Sequence, residues 1–268
     1  MRTSTFVLAA ALGLAGSPVF GATNEIRATY DTYAAGMQVA QMEAGFGIGP
    51  WNYQVRMAYR TTGLVGLFYS GHQFSEADGS WGASGPAPRA FSGMGVWHGQ
   101  DRVIQIDYQQ GRPVVRSLVP PNDNEREPVP ESVQTNSVDT LSALVELIRR
   151  VGETGRCEAK VRTFDGRRAS DITATTVGQE VLEPTGRSSY SGPALRCDFV
   201  GQMVAGFMHQ DRSPADRKPL HGSAWLARVV PDGPPVPVRM EFQTRWFGDA
   251  TMYLTSISTG AQAVASVR

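Results

Sequence analysis

The sequence predicts a mainly β protein, an antiparallel sheet of about a dozen short strands wrapped against one amphipathic helix. Three observations carry this. Apolar and polar residues alternate with period two in several stretches, turn dipeptides separate those stretches, and one segment alone switches to helical spacing.

Trp51-Asn52-Tyr53-Gln54-Val55-Arg56-Met57 alternates large apolar with polar residues, the pattern of a strand with one face buried and one in water. The same rhythm runs through Ile26 to Ala34, the even-numbered positions of Met42 to Ile48, Ile104 and Ile106 in Arg102 to Tyr108, and Val236 to Phe242. One wet face per strand is the mark of antiparallel pairing, since parallel sheets are covered on both sides. Gly49-Pro50, Asp78-Gly79, Gln110-Gly111, Asp165-Gly166, Asp232-Gly233 and Gly248-Asp249 supply turn chemistry between the runs. Gly45-Phe46-Gly47-Ile48-Gly49 has the wrong spacing for a dinucleotide loop and continues an alternating run, which predicts a bent or bulged strand.

Leu141, Leu144, Val145, Ile148 and Val151 predict a helix over 139–151, with Ser137 or Asp139 as cap and Gly152 as stop. Its apolar stripe is wide for a short helix and must be buried against the sheet. Pro120 to Ser132 mixes prolines with charged side chains and predicts an exposed loop; a second polar loop runs from His209 to His221. Helix and strands each need a partner for their apolar faces, so residues 22–268 are expected to form a single β-rich domain.

Met1-Arg2, the apolar run Phe6 to Ala15, and Gly16-Ser17-Pro18 form a secretory signal, expected to span residues 1–21 with cleavage before Ala22. Ser17 stands where a lipid-accepting cysteine would be, and no run reaches the roughly 20 residues of a spanning helix. The expected location is therefore the periplasm, with no membrane span. Cys157 and Cys197 are the sole cysteines, and in an oxidising compartment they are expected to form a disulfide. Lys+Arg and Asp+Glu both number 25, which removes the usual electrostatic signature of a nucleic-acid partner. Lys160 and Lys218 are the only lysines, which disfavours Schiff-base chemistry.

No nucleophile elbow, His-Glu-x-x-His or phosphate loop occurs. His72, Glu76 and Asp78 would share one face of a strand, but Cβ atoms four residues apart are about 13 Å distant, too far for one ion. His209 with Asp211 could orient an imidazole as a base, yet no nucleophile accompanies it. The sequence thus predicts no catalytic residues, no metal site, no cofactor and no enzyme.

Tyr30-Asp31-Thr32-Tyr33 with Gly36, Arg60-Thr61-Thr62-Gly63-Leu64, Arg126-Glu127-Pro128-Val129-Pro130, Asp139 through Leu144, Phe164-Asp165-Gly166-Arg167-Arg168, Gly192 through Cys197 and Gly233 through Val238 resemble a family of exported bacterial proteins, domain of unknown function 3108. The likeness covers nearly the whole chain after the leader and departs at Ala169-Ser170, where a basic or aromatic pair is usual. It implies a cell-envelope location and a mostly antiparallel β structure, and offers no catalytic residues. Many strands around one apolar helix are also similar to the curved open barrels of periplasmic lipoprotein carriers. The expected architecture is accordingly a curved open barrel or β-spiral.

The expected activity is noncatalytic binding of an apolar ligand, acyl chain or lipoprotein on the concave face, in support of envelope integrity. Large apolar residues near the helix are its candidate contacts: Trp51, Tyr53, Leu64, Leu67, Phe68, Leu141, Leu144 and Ile148. The rival expectation is an envelope-protein interaction through a sheet edge or the proline-rich stretch Pro120 to Pro130.

Overall fold

The computed structural model describes residues 25–63, 66, 70–210, 217–244 and 248–260. The leader, Leu64, Leu67, Phe68 and Asp211 lie outside the described residues. Thirteen strands form one antiparallel sheet among those described. In chain order they are β1 (Ile26–Ala34), β2 (Met37–Ile48), β3 (Asn52–Thr61), β4 (Gly71–Gly82), β5 (Gly85–Trp97), β6 (Gln100–Gln109), β7 (Arg112–Val119), β8 (Ala159–Phe164), β9 (Ala169–Leu182), β10 (Gly192–Ala205), β11 (Leu220–Ala227), β12 (Val236–Thr244) and β13 (Gly248–Thr259).

Each strand pairs with its sequence neighbour, except that β1 pairs with β13 and β7 does not meet β8. The chain therefore starts at the centre, meanders to one edge at β7, crosses to the other edge at β8, and meanders back. Inward positions are largely apolar along the stretches that the alternation marked, Ile26, Ala28 and Tyr30 on β1, Tyr53 and Val55 on β3, Ile104 and Ile106 on β6, Val236 and Val238 on β12, with Thr32 on β1 and Arg102 on β6 as polar exceptions. Register shifts at Thr29/Tyr30, Thr32/Tyr33, Asp78/Gly79, Gln105/Ile106 and Arg196/Cys197 bend the sheet into an open barrel.

Two local expectations are corrected. Asp78-Gly79 is no turn but a bulge inside β4, where a side chain on Gly79 would strike the Tyr53 hydroxyl. Gly45 to Ile48 pair with β3 in unbroken register, so the glycine-rich run of β2 is not bulged against it.

The crossing segment holds two α-helices, the single turn α1 (Glu131–Gln134) and the amphipathic α2 (Thr140–Thr154). Asp139 caps α2 by accepting a hydrogen bond from the Ser142 amide at 2.8 Å. The helix passes Gly152 and stops at Gly155, which takes the left-handed conformation at φ 67° and donates its amide to the Val151 carbonyl. Gly152 fails as a stop because the helix still has partners there: its carbonyl accepts from Arg228 at 2.8 Å. Leu141, Val145, Ile148 and Val151 are buried in the core beneath β2 to β5.

Asp139 is fully buried, with Ser142 donating to its second oxygen at 2.6 Å and Tyr53 donating to Ser142 at 2.7 Å. Burial outweighs these hydrogen bonds and pushes the carboxyl up to about 6. Just past the helix, Cys157 is bonded to Cys197 on β10, with Cα atoms 5.9 Å apart and both residues fully buried. This bond fastens the crossing segment to the returning half of the sheet.

Pro120 to Ser132 is not the free loop that its composition suggests. It is a strap, half-buried at Glu125, Arg126 and Glu127, tied by an Arg126 to Met208 bridge and by the Glu127 amide to the Phe207 carbonyl at 2.9 Å. Its prolines limit regular structure to a 3-10 turn over Asn122–Asn124 and the start of α1, but they do not prevent docking.

Two outcomes follow. Because the Asp139 pKa rises on folding, its contribution is full below about pH 4 and lost as pH climbs through 6; urea unfolding of wild type against D139N should show a difference that changes by on the order of 3 kcal/mol across that window. Replacing both cysteines by serine should lower stability by roughly 3–4 kcal/mol through the longer unfolded loop, read by the same unfolding curves.

Candidate functional groove

The concave face is unequally filled. At one end of β3 to β5 the trough is occupied by α2: Tyr53 bonds Ser142, Trp81 stacks 4.8 Å from the Tyr53 ring, and the Arg149 guanidinium lies 4.5 Å over Trp81. At the opposite end of the same strands it opens into a groove of about 720 Å³. Its floor is built from inward positions two residues apart: Tyr59 on β3, Gln73 on β4, Phe91, Gly93 and Trp97 on β5, and Ile104 on β6. The small and polar members keep the space open. A side chain on Gly93 would approach Ile104 to 2.9 Å, and one on Gly166, whose φ is 85°, would approach it to 2.2 Å.

The facing wall is polar. It comprises Asn124, Glu125 and Arg126 of the strap, Asp165, Arg167 and Arg168 at the β8–β9 turn, and Met208, His209 and Gln210 after β10, with Arg102 reaching up from β6. Arg102 grips both Glu125 oxygens at 2.8 and 2.9 Å, while its buried Nε makes no hydrogen bond among the described residues. These bonds and the nearby guanidiniums of Arg102, Arg167 and Arg126 hold the Glu125 carboxyl below the usual carboxylate range. Arg167 donates to the Val119 carbonyl at 2.7 Å and to Asn122 at 3.4 Å, and burial together with Arg102 lowers its own pKa. Arg126 donates to the Gly206 carbonyl at 2.8 Å, Asp165 binds Arg168, and the His209 ring bonds the Asp123 carbonyl at 3.1 Å.

None of the sequence-derived contacts that the structure describes lines this groove. Tyr53, Leu141 and Ile148 come together in the packed core at the helix end, and Leu144 is half-buried beside them. Trp51 stands apart on the β2–β3 turn with 82% of its surface exposed. Glu76 of the discounted metal trio is engaged by Arg56 and Gln54, and Asp78 by Arg89. Sequence reasoning passed over Tyr59, Phe91, Trp97 and the arginines. One signal was present: Arg102, Gln73 and Gly93 occupy inward positions where the alternation elsewhere places apolar side chains.

Fold and groove define a class: an open antiparallel β barrel, half plugged by one helix, with an amphipathic trough in the remainder. The chain belongs to the family described as "Protein of unknown function (DUF3108)", whose family model matches residues 27–255. No curated protein matches it. Among solved structures it is similar to a β-barrel-like protein of domain of unknown function DUF1849 from Brucella abortus, with a TM-score of 0.52, 14% identity, and coverage of 90% of this chain and 99% of that one. A protein of YmcC-like fold from Bacteroides fragilis gives a TM-score of 0.35 and 10% identity over 87% of this chain and 95% of that one. The first likeness establishes the fold.

The strap depends on the Arg102 to Glu125 clamp, so R102Q should speed hydrogen exchange at the Glu127 and His209 amides, which bond the Phe207 and Glu125 carbonyls, while amides of β1 and β13 stay protected.

Proposed function

We propose that this chain is an exported, noncatalytic binding protein of the periplasm whose groove holds an apolar chain. The observation that carries this reading is the open half of the concave face, where Tyr59, Phe91, Trp97 and Ile104 form an apolar floor beside a polar wall. A concave apolar site with a few fixed polar groups, of a size within the range of about 300–1,000 Å³, is the usual form of a small-molecule pocket. The polar groups of the wall favour binding over catalysis: Glu125, Asp165 and His209 each hold a neighbouring loop through the bonds above. The N-terminal apolar run supports export, and among the described residues no helix is long and apolar enough to cross a membrane. A role in envelope integrity fits a carrier or sensor of lipid or acylated protein in that compartment.

Titration of the full chain with a neutral, environment-sensitive naphthylamine fluorophore tests the reading. Trp97→Ala should weaken binding about three- to tenfold, whereas Trp51→Ala, on the distant β2–β3 turn, should leave it unchanged. Equal effects of the two variants, or no binding by wild type, would remove the groove as the site. Mass spectrometry of protein from its native exported fraction would show the mature N-terminus and any chain carried through purification.

A further inference from the structure

An open sheet has edges, and one stretch of edge in this sheet is complementary to itself. We propose that Val177 to Val181 of β9 pairs antiparallel with the same residues of a second copy of this chain, joining two sheets across a two-fold axis at Gln179.

The opening comes from a mismatch in strand length. β9 runs from Ala169 to Leu182, but β8 pairs only with Ala169 to Ala174. Cys157 and Glu158, leading into β8, reach as far as the Thr176 hydroxyl. Beyond it, β9 has β10 on one side and no strand on the other among the described residues. Unpaired amides and carbonyls in a row are a template for another strand. The remaining edges are better guarded. Val138 bridges to β8, and β7 carries Pro113, which has no amide to donate, with Arg112 and Arg116 paired to Glu131 and Asp107.

The side chains select a second copy as the occupant. Val177, Gln179 and Val181 are exposed, and Val181, at 69%, is second only to Trp51 among the described large apolar residues. The register with β10 passes over Val177, so that side chain has no opposite there to pack on. A two-fold axis at Gln179 sets Val177 of each copy against Val181 of the other, and Glu180 against Gly178, which has no side chain to crowd it. An axis at Glu180 would instead oppose two carboxylates, which disfavours that register. Trp225 and Arg196 already hold the Glu180 carboxylate on their own sheet. The whole chain carries no net charge, so two copies approach without long-range repulsion. The partner strand continues the lane that β8 begins.

So short a seam buries less than the roughly 1,200 Å² of a stable interface, which sets an expected dissociation constant on the order of 0.1 mM. Sedimentation equilibrium of the full chain, from about 10 µM to about 1 mM, should show a reversible monomer–dimer equilibrium. Val181→Lys, at an exposed position, should weaken it at least about tenfold, whereas Trp51→Ala should leave it unchanged. Gln179→Cys should cross-link into a covalent dimer under mild oxidation, and Thr173→Cys, exposed but alongside β8, should not. A monomer at every concentration would overturn the proposal and leave this edge to a different chain. Val181→Lys associating like wild type, or equal cross-linking at the two cysteine positions, would overturn it by placing the contact elsewhere.

Discussion

The structure depends on one burial, that of α2 in the trough of an unclosed sheet. Strands β7 and β8 are edges that do not meet, so the barrel lacks the hydrogen bonds that would close it. The crossing segment substitutes for them. Val138 forms a parallel bridge to Thr163 of β8, the Asn136 amide bonds the Gly111 carbonyl at the β6–β7 turn, and α2 follows these two attachments with its apolar face turned inward. A sheet of this length could not keep its concave face dry without such an insert. The Asp139 cap and the cysteine pair fix the two ends of that insert, one to β3 through Ser142 and Tyr53 and the other to β10.

The opposite face of the sheet is organised differently, around stacked arginines. Tyr253, Arg239, Trp225 and Arg196 lie directly opposite one another on the adjacent strands β13, β12, β11 and β10. Arg239 stacks on both Tyr253 and Trp225, Arg196 stacks on the other side of the same indole, and the Trp225 Nε1 donates to Glu180 at 2.7 Å. Trp225 is thereby buried on a face that meets water. Planar guanidinium can stack on a ring and bond a carboxylate at once, through Asp198 for Arg196 and Glu241 for Arg239. Ammonium, a compact point charge without a planar face, does this less well, which favours arginine at these positions.

The same distinction marks what sequence reading could reach. Strand identity and the direction each side chain faces are local properties, carried by period-two alternation, which β1 follows residue by residue and β3 and β6 follow over part of their length. The cap was legible to within two candidates, Ser137 or Asp139, because capping is settled within three residues, and the bond from the Ser142 amide selects Asp139. The helix end was not, since Gly152 reads as a stop until Arg228, distant in sequence, supplies a partner for its carbonyl. Asp78-Gly79 misleads for a related reason: the pair is good turn chemistry, but β3 and β5 flank it on both sides and convert it into a bulge. The groove draws its floor from β3, β4, β5 and β6 and its wall from loops far apart in sequence. Neither spacing nor motif can express that assembly; only register does. The large apolar residues that composition singled out, Tyr53, Leu141 and Ile148, were instead taken up in packing α2.

Why the open half of the trough remains open is a question of what the sequence withholds. The inward face of β4 and β5 carries Gln73, Ser75 and Gly93 where the helix-covered end carries Ala77 and the bulk of α2. Longer apolar residues at those positions would close the space and remove water from Phe91 and Ile104. Arg102 at an inward position of β6 is costlier still, because it brings a cation beside Arg167 and leaves a buried donor without an acceptor. Packing and electrostatics depart from the apolar pattern of the concave face here together, within one groove. Departures of this kind are where a fold can give up stability for a site, and they are why the binding surface proposed above is the groove and not the helix-packed core.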